Sequence, residues 1–207
     1  MAGTRQIPYW LFGVTTIASL ATVIGPLALF GLSEQGWQLA ARYTVRVSFP
    51  LFLLTYLARP LTVFWRTETT RWVLRNRRYL GLSFALAHTI HLGALTSYFV
   101  FLKQSPDVAT LIGGGLAYGL MFAMAATSND RSVKALKTNW GRLHSIGLHY
   151  LWLIFLVTYL GRLSGGEGGA ETNALFMVGI VGSGLAFAAL ALRLAAAWKI
   201  RARRTLT

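Results

Sequence analysis

Residues 79–102 read YLGLSFALAHTIHLGALTSYFVFL, and this stretch decides the fold. It holds no Asp, Glu, Lys or Arg across 24 residues. At about 1.5 Å of rise per residue, a helix of that length crosses the roughly 30 Å hydrocarbon core of a bilayer. Apolar and polar residues do not alternate as in a barrel strand, and a lipid-exposed segment must bond its own backbone. The stretch therefore predicts a transmembrane helix. It carries two of the chain's four histidines, His88 and His91.

Working outward, five more apolar runs predict spans over 9–32, 45–64, 109–126, 143–163 and 175–198. The expectation is an all-α integral membrane protein, a six-transmembrane-helix bundle forming a single domain over residues 1–207. A chain 55% hydrophobic with six acidic residues is too apolar for an ordinary soluble domain. The run from Ile7 to Phe30 follows one cation, Arg5, and exceeds a signal-peptide core, so it reads as a first span. Ser164–Asn173 reads as a glycine-rich turn. The connections leave no room for a flavin or nicotinamide domain, and no covalent flavin is expected. Pro26, Pro50 and Pro60 fall within or near spans as candidate kinks. Gly113–Gly115, Gly119, Gly182 and Gly184 read as places of close helix approach, not as a phosphate loop. The absence of cysteine excludes disulfides, thiolate metal sites and iron–sulfur clusters.

The net charge of +14 is distributed as membrane loops distribute it. Arg66, Arg71, Arg75, Arg77 and Arg78 lie between spans two and three. Arg131, Lys134, Lys137 and Arg142 lie between four and five, and Lys199, Arg201, Arg203 and Arg204 end the chain. The opposite connections hold Glu34, Asp107, Glu167 and Glu171. The cationic side is expected to be cytoplasmic, with both termini on it. The bilayer is then the partner that the charge implies; no basic patch with interleaved aromatics points to nucleic acid.

An ionisable residue inside a span is costly and is a functional candidate by default. His144 and His149 in span five join His88 and His91. Counting from Tyr79, His88 lies roughly 14 Å into the bilayer and His91 roughly 18 Å; counting from Gly141, His144 lies about 5 Å in and His149 about 12 Å. His88 and His91 share a helix face, whereas His144 and His149 are rotated by roughly 140°. A bis-histidine haem needs one imidazole from each helix, and depth pairs His88 with His149, with His91 as the substitute for His88. A hydrogen-bonding role, another metal and a proton relay are the alternatives. The spans lack carboxylates, which argues against a hard-cation site. Arg77 and Arg78 suit haem propionates or lipid phosphates by guanidinium chemistry, or serve topology alone. Trp140, Tyr150, Trp152 and Tyr159 are candidates for an electron path, for packing or for interfacial anchoring.

Several fragments in residues 75–160 resemble the ferric reductase-like transmembrane family, especially its YedZ/MsrQ branch of small haem-b subunits. Arg77-Arg78-Tyr79-Leu80-Gly81-Leu82 is similar to the basic start of the family's haem helix, and His91-Leu92 falls at a haem histidine. Thr127-Ser128 and Trp140-Gly141-Arg142-Leu143-His144 are similar to the end of its fourth helix and the W-x-x-L-H start of its fifth. The resemblance implies His91 and His144 as ligands, against the pair preferred by depth. The family's second fifth-helix histidine falls here on Val157 or Thr158, which cannot replace it, so one haem b is expected, not two. The resemblance further implies electron transfer from a cytoplasmic flavoprotein or a quinol to an extracytoplasmic acceptor. That acceptor would be a reductase such as one that repairs oxidised methionine, served from a bacterial inner membrane. The alternative is a haem-free accessory or scaffold subunit of a larger membrane complex.

Overall fold

The structure is a computed structural model and describes residues 7–103, 105–163 and 170–205. Arg5, Glu167 and residues 164–169 of the glycine-rich turn lie outside the described residues. Among those described there is no strand, and the helices are α1 Tyr9–Phe30, α2 Glu34–Phe64, α3 Glu68–Arg75, α4 Arg77–Leu102, α5 Val108–Ala126, α6 Asp130–Leu136, α7 Thr138–Gly161 and α8 Ala170–Arg204. All but α3 and α6 are long and apolar enough to cross a membrane. The surface agrees. On α1, Val14, Ile17, Leu20 and Ile24 are exposed while Thr15 and Ser19 are buried, the reverse of a soluble helix. The chain is an all-α, six-span integral membrane protein.

The spans differ from the expected ones chiefly in α2, which starts eleven residues before Val45. Glu34, Gln35, Gln38 and Arg42 depress the hydropathy of that first stretch without breaking the helix. Its start is capped: Ser33 Oγ accepts the Gly36 N–H at 3.1 Å. Gly36 is required there, because a Cβ would strike the Gly31 carbonyl. Neither Pro50 nor Pro60 ends α2. The short helices occupy connections that the sequence left as loops. Thr67 Oγ1 accepts the Thr70 N–H at 3.2 Å ahead of α3, and Asn129 Oδ1 accepts the Ser132 N–H at 2.8 Å ahead of α6.

The chain forms two compact units. The first contains residues up to Thr55 together with Trp72–Leu111. Within it α2 and α4 run antiparallel, joined by a ladder of side chains. Gln38 Nε2 donates to Tyr98 Oη at 3.3 Å. Thr44 meets His91, Ser48 meets His88, the Phe52 and Phe84 rings lie 5.5 Å apart, and Thr55 covers Gly81. From Gln38 to Thr55 α2 advances 17 residues while α4 steps back 17, from Tyr98 to Gly81, each rung keeping register to within one residue, as two helices of the same rise require. α1 packs on α4 in the parallel sense, with Phe12 edge-on to Tyr79 and Val23 beside the Ala40, Ala41 and Ala94 cluster.

The second unit contains Tyr56–Arg71 and Ile112–Thr207. Here α8 lies close against α7. Gly182 sits under the Tyr159 ring so tightly that a Cβ would overlap it, and Trp152 Nε1 donates to the Ala186 carbonyl at 2.8 Å. Gly184, by contrast, faces open space. α5 packs antiparallel on α7, with Gly147 against Met124 and Tyr150 Oη donating to the Gly113 carbonyl at 3.2 Å. Gly114, Gly115 and Gly119 meet nothing within 4 Å. Close approach therefore rests on Gly147, Gly179 and Gly182, only the last of which was among the expected glycines.

Candidate functional site

In the first unit, His88 and His91 project from one face of α4, as their spacing requires. Their rings lie 5.0 Å apart. His88 is 9% exposed and stacks on Phe84 at 5.2 Å. Its Nδ1 lies 3.0 Å from Ser48 Oγ, and His91 Nδ1 lies 2.9 Å from Thr44 Oγ1. Ser48 and Thr44 are both fully buried and one turn apart on α2. Sequence reasoning missed them. They are ordinary hydroxyl residues in a helix, and only the α2–α4 ladder brings them to the histidines.

In the second unit, His144 is bound into the start of its own helix. Its Nδ1 donates to the Trp140 carbonyl at 3.0 Å, its ring stacks on Trp140 at 4.0 Å, and Nε2 lies 3.4 Å from Ser128 Oγ. Trp140 Nε1 in turn donates to the Thr127 carbonyl at 2.9 Å. The W-x-x-L-H pattern is thus a one-turn stack that ties α7 to the end of α5. His149 is exposed, donates Nδ1–H to the Ser145 carbonyl at 2.7 Å, and meets the Tyr56 ring edge-on at 5.6 Å.

Behind Tyr56 stands Arg193, a residue that the sequence reading passed over. Its guanidinium donates to the Tyr56 carbonyl at 2.8 Å and lies 4.4 Å over the Tyr56 ring. The carbonyl is available because its usual partner would be the N–H of residue 60, and Pro60 has none. A cation inside the apolar run 175–198 was the signal that would have found it.

Arg77 and Arg78 open α4 about 15 Å along the axis from His88, at the interface end of the helix and not at the level of the histidines. Tyr150 and Trp152 bond helix carbonyls and Tyr159 is buried against Gly182, which gives each a packing role. Asp107 caps α5: its carboxylate accepts the Thr110 N–H at 2.9 Å and the Thr110 hydroxyl at 2.6 Å. Those bonds hold its pKa below the ordinary aspartate value.

The donor chemistry is that of imidazole in an apolar surround. A ring nitrogen held by a hydroxyl or carbonyl is the arrangement in which metal-ligating histidines are oriented, and iron porphyrins take imidazole at their axial positions. The residues present fit that group. Fold and site together define a small helical membrane protein carrying oriented intramembrane histidines.

Within that class, the chain is similar to a named set of proteins. It is 34% identical over 99 residues to the protein-methionine-sulfoxide reductase haem-binding subunit MsrQ of Xanthomonas axonopodis pv. citri, covering 40% of this chain and 44% of the relative. It is 27% identical over 169 residues to the MsrQ subunit of Pectobacterium carotovorum, covering 68% of this chain and 81% of the relative. The Pectobacterium atrosepticum subunit matches at 27% over 146 residues, covering 58% and 70%. The chain is thus similar to MsrQ haem-binding subunits, and it spans less than half the length of the Xanthomonas relative. No family model and no solved structure matches it.

Proposed function

We propose that this chain is a haem-b-binding membrane electron-transfer subunit that serves an extracytoplasmic reductase from a bacterial inner membrane. The single observation that carries the proposal is the pair His88 and His91, the first buried and the second half-buried on one face of α4, each held at Nδ1 by a hydroxyl of the neighbouring helix. Likeness to MsrQ subunits, named for haem binding in a methionine-sulfoxide reductase system, supports it. Bound haem b supplies one-electron ferric–ferrous chemistry. The four histidines are the candidate axial ligands, with His88 and His149, or His91 and His144, as the alternative pairs. The helices contribute a dry, low-dielectric surround that tunes the potential. Arg77 and Arg78 are candidates for the propionates or for lipid phosphates. The electron donor is a cytoplasmic flavoprotein or a membrane quinol, and the acceptor is a reductase of oxidised methionine.

An optical spectrum tests the proposal. The purified protein, expressed with ample haem supply, should show a reduced-minus-oxidised difference with low-spin haem-b bands. Replacing His88, His91, His144 and His149 singly by Ala should abolish those bands for the two axial residues. Loss from none of the four would defeat the assignment. Substoichiometric haem throughout would favour the haem-free scaffold reading, to which Val157 and Thr158 in place of a family histidine lend weight.

A further inference from the structure

Each hydroxyl group has one hydrogen to give. Ser48 gives its hydrogen to the Val45 carbonyl of its own helix at 3.1 Å. Thr44 likewise donates to the Ala40 and Ala41 carbonyls at 2.8 and 3.1 Å. With that hydrogen committed, each oxygen turns a lone pair towards the histidine beside it. A lone pair accepts; it cannot donate. That arrangement pairs each oxygen with an Nδ1–H, and a neutral ring protonated there carries its lone pair on Nε2. The same logic does not apply at random along α4. Ser83 is as deeply buried, but its hydroxyl has no hydrogen-bond partner among the described residues.

We infer that Ser48 and Thr44 are positioning residues, which lock His88 and His91 in the Nδ1–H tautomer and so make Nε2 the ligating nitrogen. The inference rests on the haem-binding reading for its purpose, but the tautomer itself does not. An imidazole that donates from Nδ1 is the more basic ligand. Holding it also removes a ring-flip freedom that would otherwise have to be lost when the iron is bound. Because one axial position takes one imidazole, only one of the two hydroxyls acts on the metal at a time. Ser48 acts if His88 ligates, and Thr44 acts if His91 does.

Two measurements on the full-length protein test this. The first needs no haem. Nitrogen NMR of ¹⁵N-histidine-labelled protein in lipid should show His88 and His91 in the Nδ1–H tautomer. Ser48→Ala should release His88 to a mixture of tautomers and Thr44→Val should release His91, while Ser48→Thr and Thr44→Ser retain the lock and Ser83→Ala changes neither. Finding Nε2–H tautomers in the unaltered protein, or no change in either variant, would overturn the inference even if haem binds. The second uses the haem-loaded protein. Losing the hydroxyl over the ligating histidine should weaken haem retention by about tenfold or more. It should also raise the reduction potential and alter the low-spin electron-spin resonance signal, with rescue by the conservative variant. The affected hydroxyl must match the histidine whose replacement abolishes haem. A mismatch, or an unmoved potential, sinks the positioning role and leaves the haem reading standing. An Nδ1–H lock in a protein that takes up no haem sinks the haem reading and the positioning role with it.

Discussion

Arg193 shows how a charge within an apolar helix is met by a carbonyl and an aromatic ring. The carbonyl is freed by Pro60, and both it and the ring belong to Tyr56 of α2. An unmade hydrogen bond to a buried carbonyl costs about 1–3 kcal/mol, so Arg193→Met should lower stability by that order, read by unfolding in mixed micelles. Pro60→Ala restores the N–H that the Tyr56 carbonyl lacks. In that background the Arg193→Met loss should shrink; an equal loss in both backgrounds would refute the pairing. The histidines were legible in the sequence because ionisable residues stand out against apolar neighbours. Their hydroxyl partners were not: Ser48 and His88 are forty positions apart, and nothing in a single sequence aligns α2 with α4.

At the level of helices, close approach and capping make separate predictions. Gly182→Ala places a methyl group into the Tyr159 ring and should destabilise the α7–α8 contact by about 1–3 kcal/mol. Gly184→Ala meets nothing and should be neutral or stabilising by up to about 1 kcal/mol, through helix propensity. Equal effects at the two sites would show that the helices do not meet where described. The Asp107 cap predicts a pH effect. Its pKa is lower in the folded chain, so the cap's stabilisation is fully present above the ordinary aspartate value and is lost as pH falls through the folded value. Amide exchange in the first turn of α5 should quicken over that acid window, beyond its intrinsic rate, and Asp107→Asn should abolish the dependence. Sequence pattern found all six spans because their apolar runs are long. It shortened α2 because the polar residues of Glu34–Thr44 hide a helix that its cap and its ladder contacts sustain.

For the molecule as a whole, the charge distribution sets a testable orientation. The chain has no cysteine, so single cysteines can be introduced one at a time. Ser132→Cys and Thr205→Cys should be shielded from an impermeant maleimide in intact cells, and Ser105→Cys should react. The opposite pattern would invert the topology inferred from the arginines and lysines. The rungs between α2 and α4 carry one last consequence. They recur at a single pitch, so a slide of α2 by one turn, about 5.4 Å, would set Ser48 against His91 and leave His88 facing Phe52. The pairing of ring with hydroxyl therefore fixes the axial register of the two helices, because a one-turn error would cost His88 its hydroxyl neighbour.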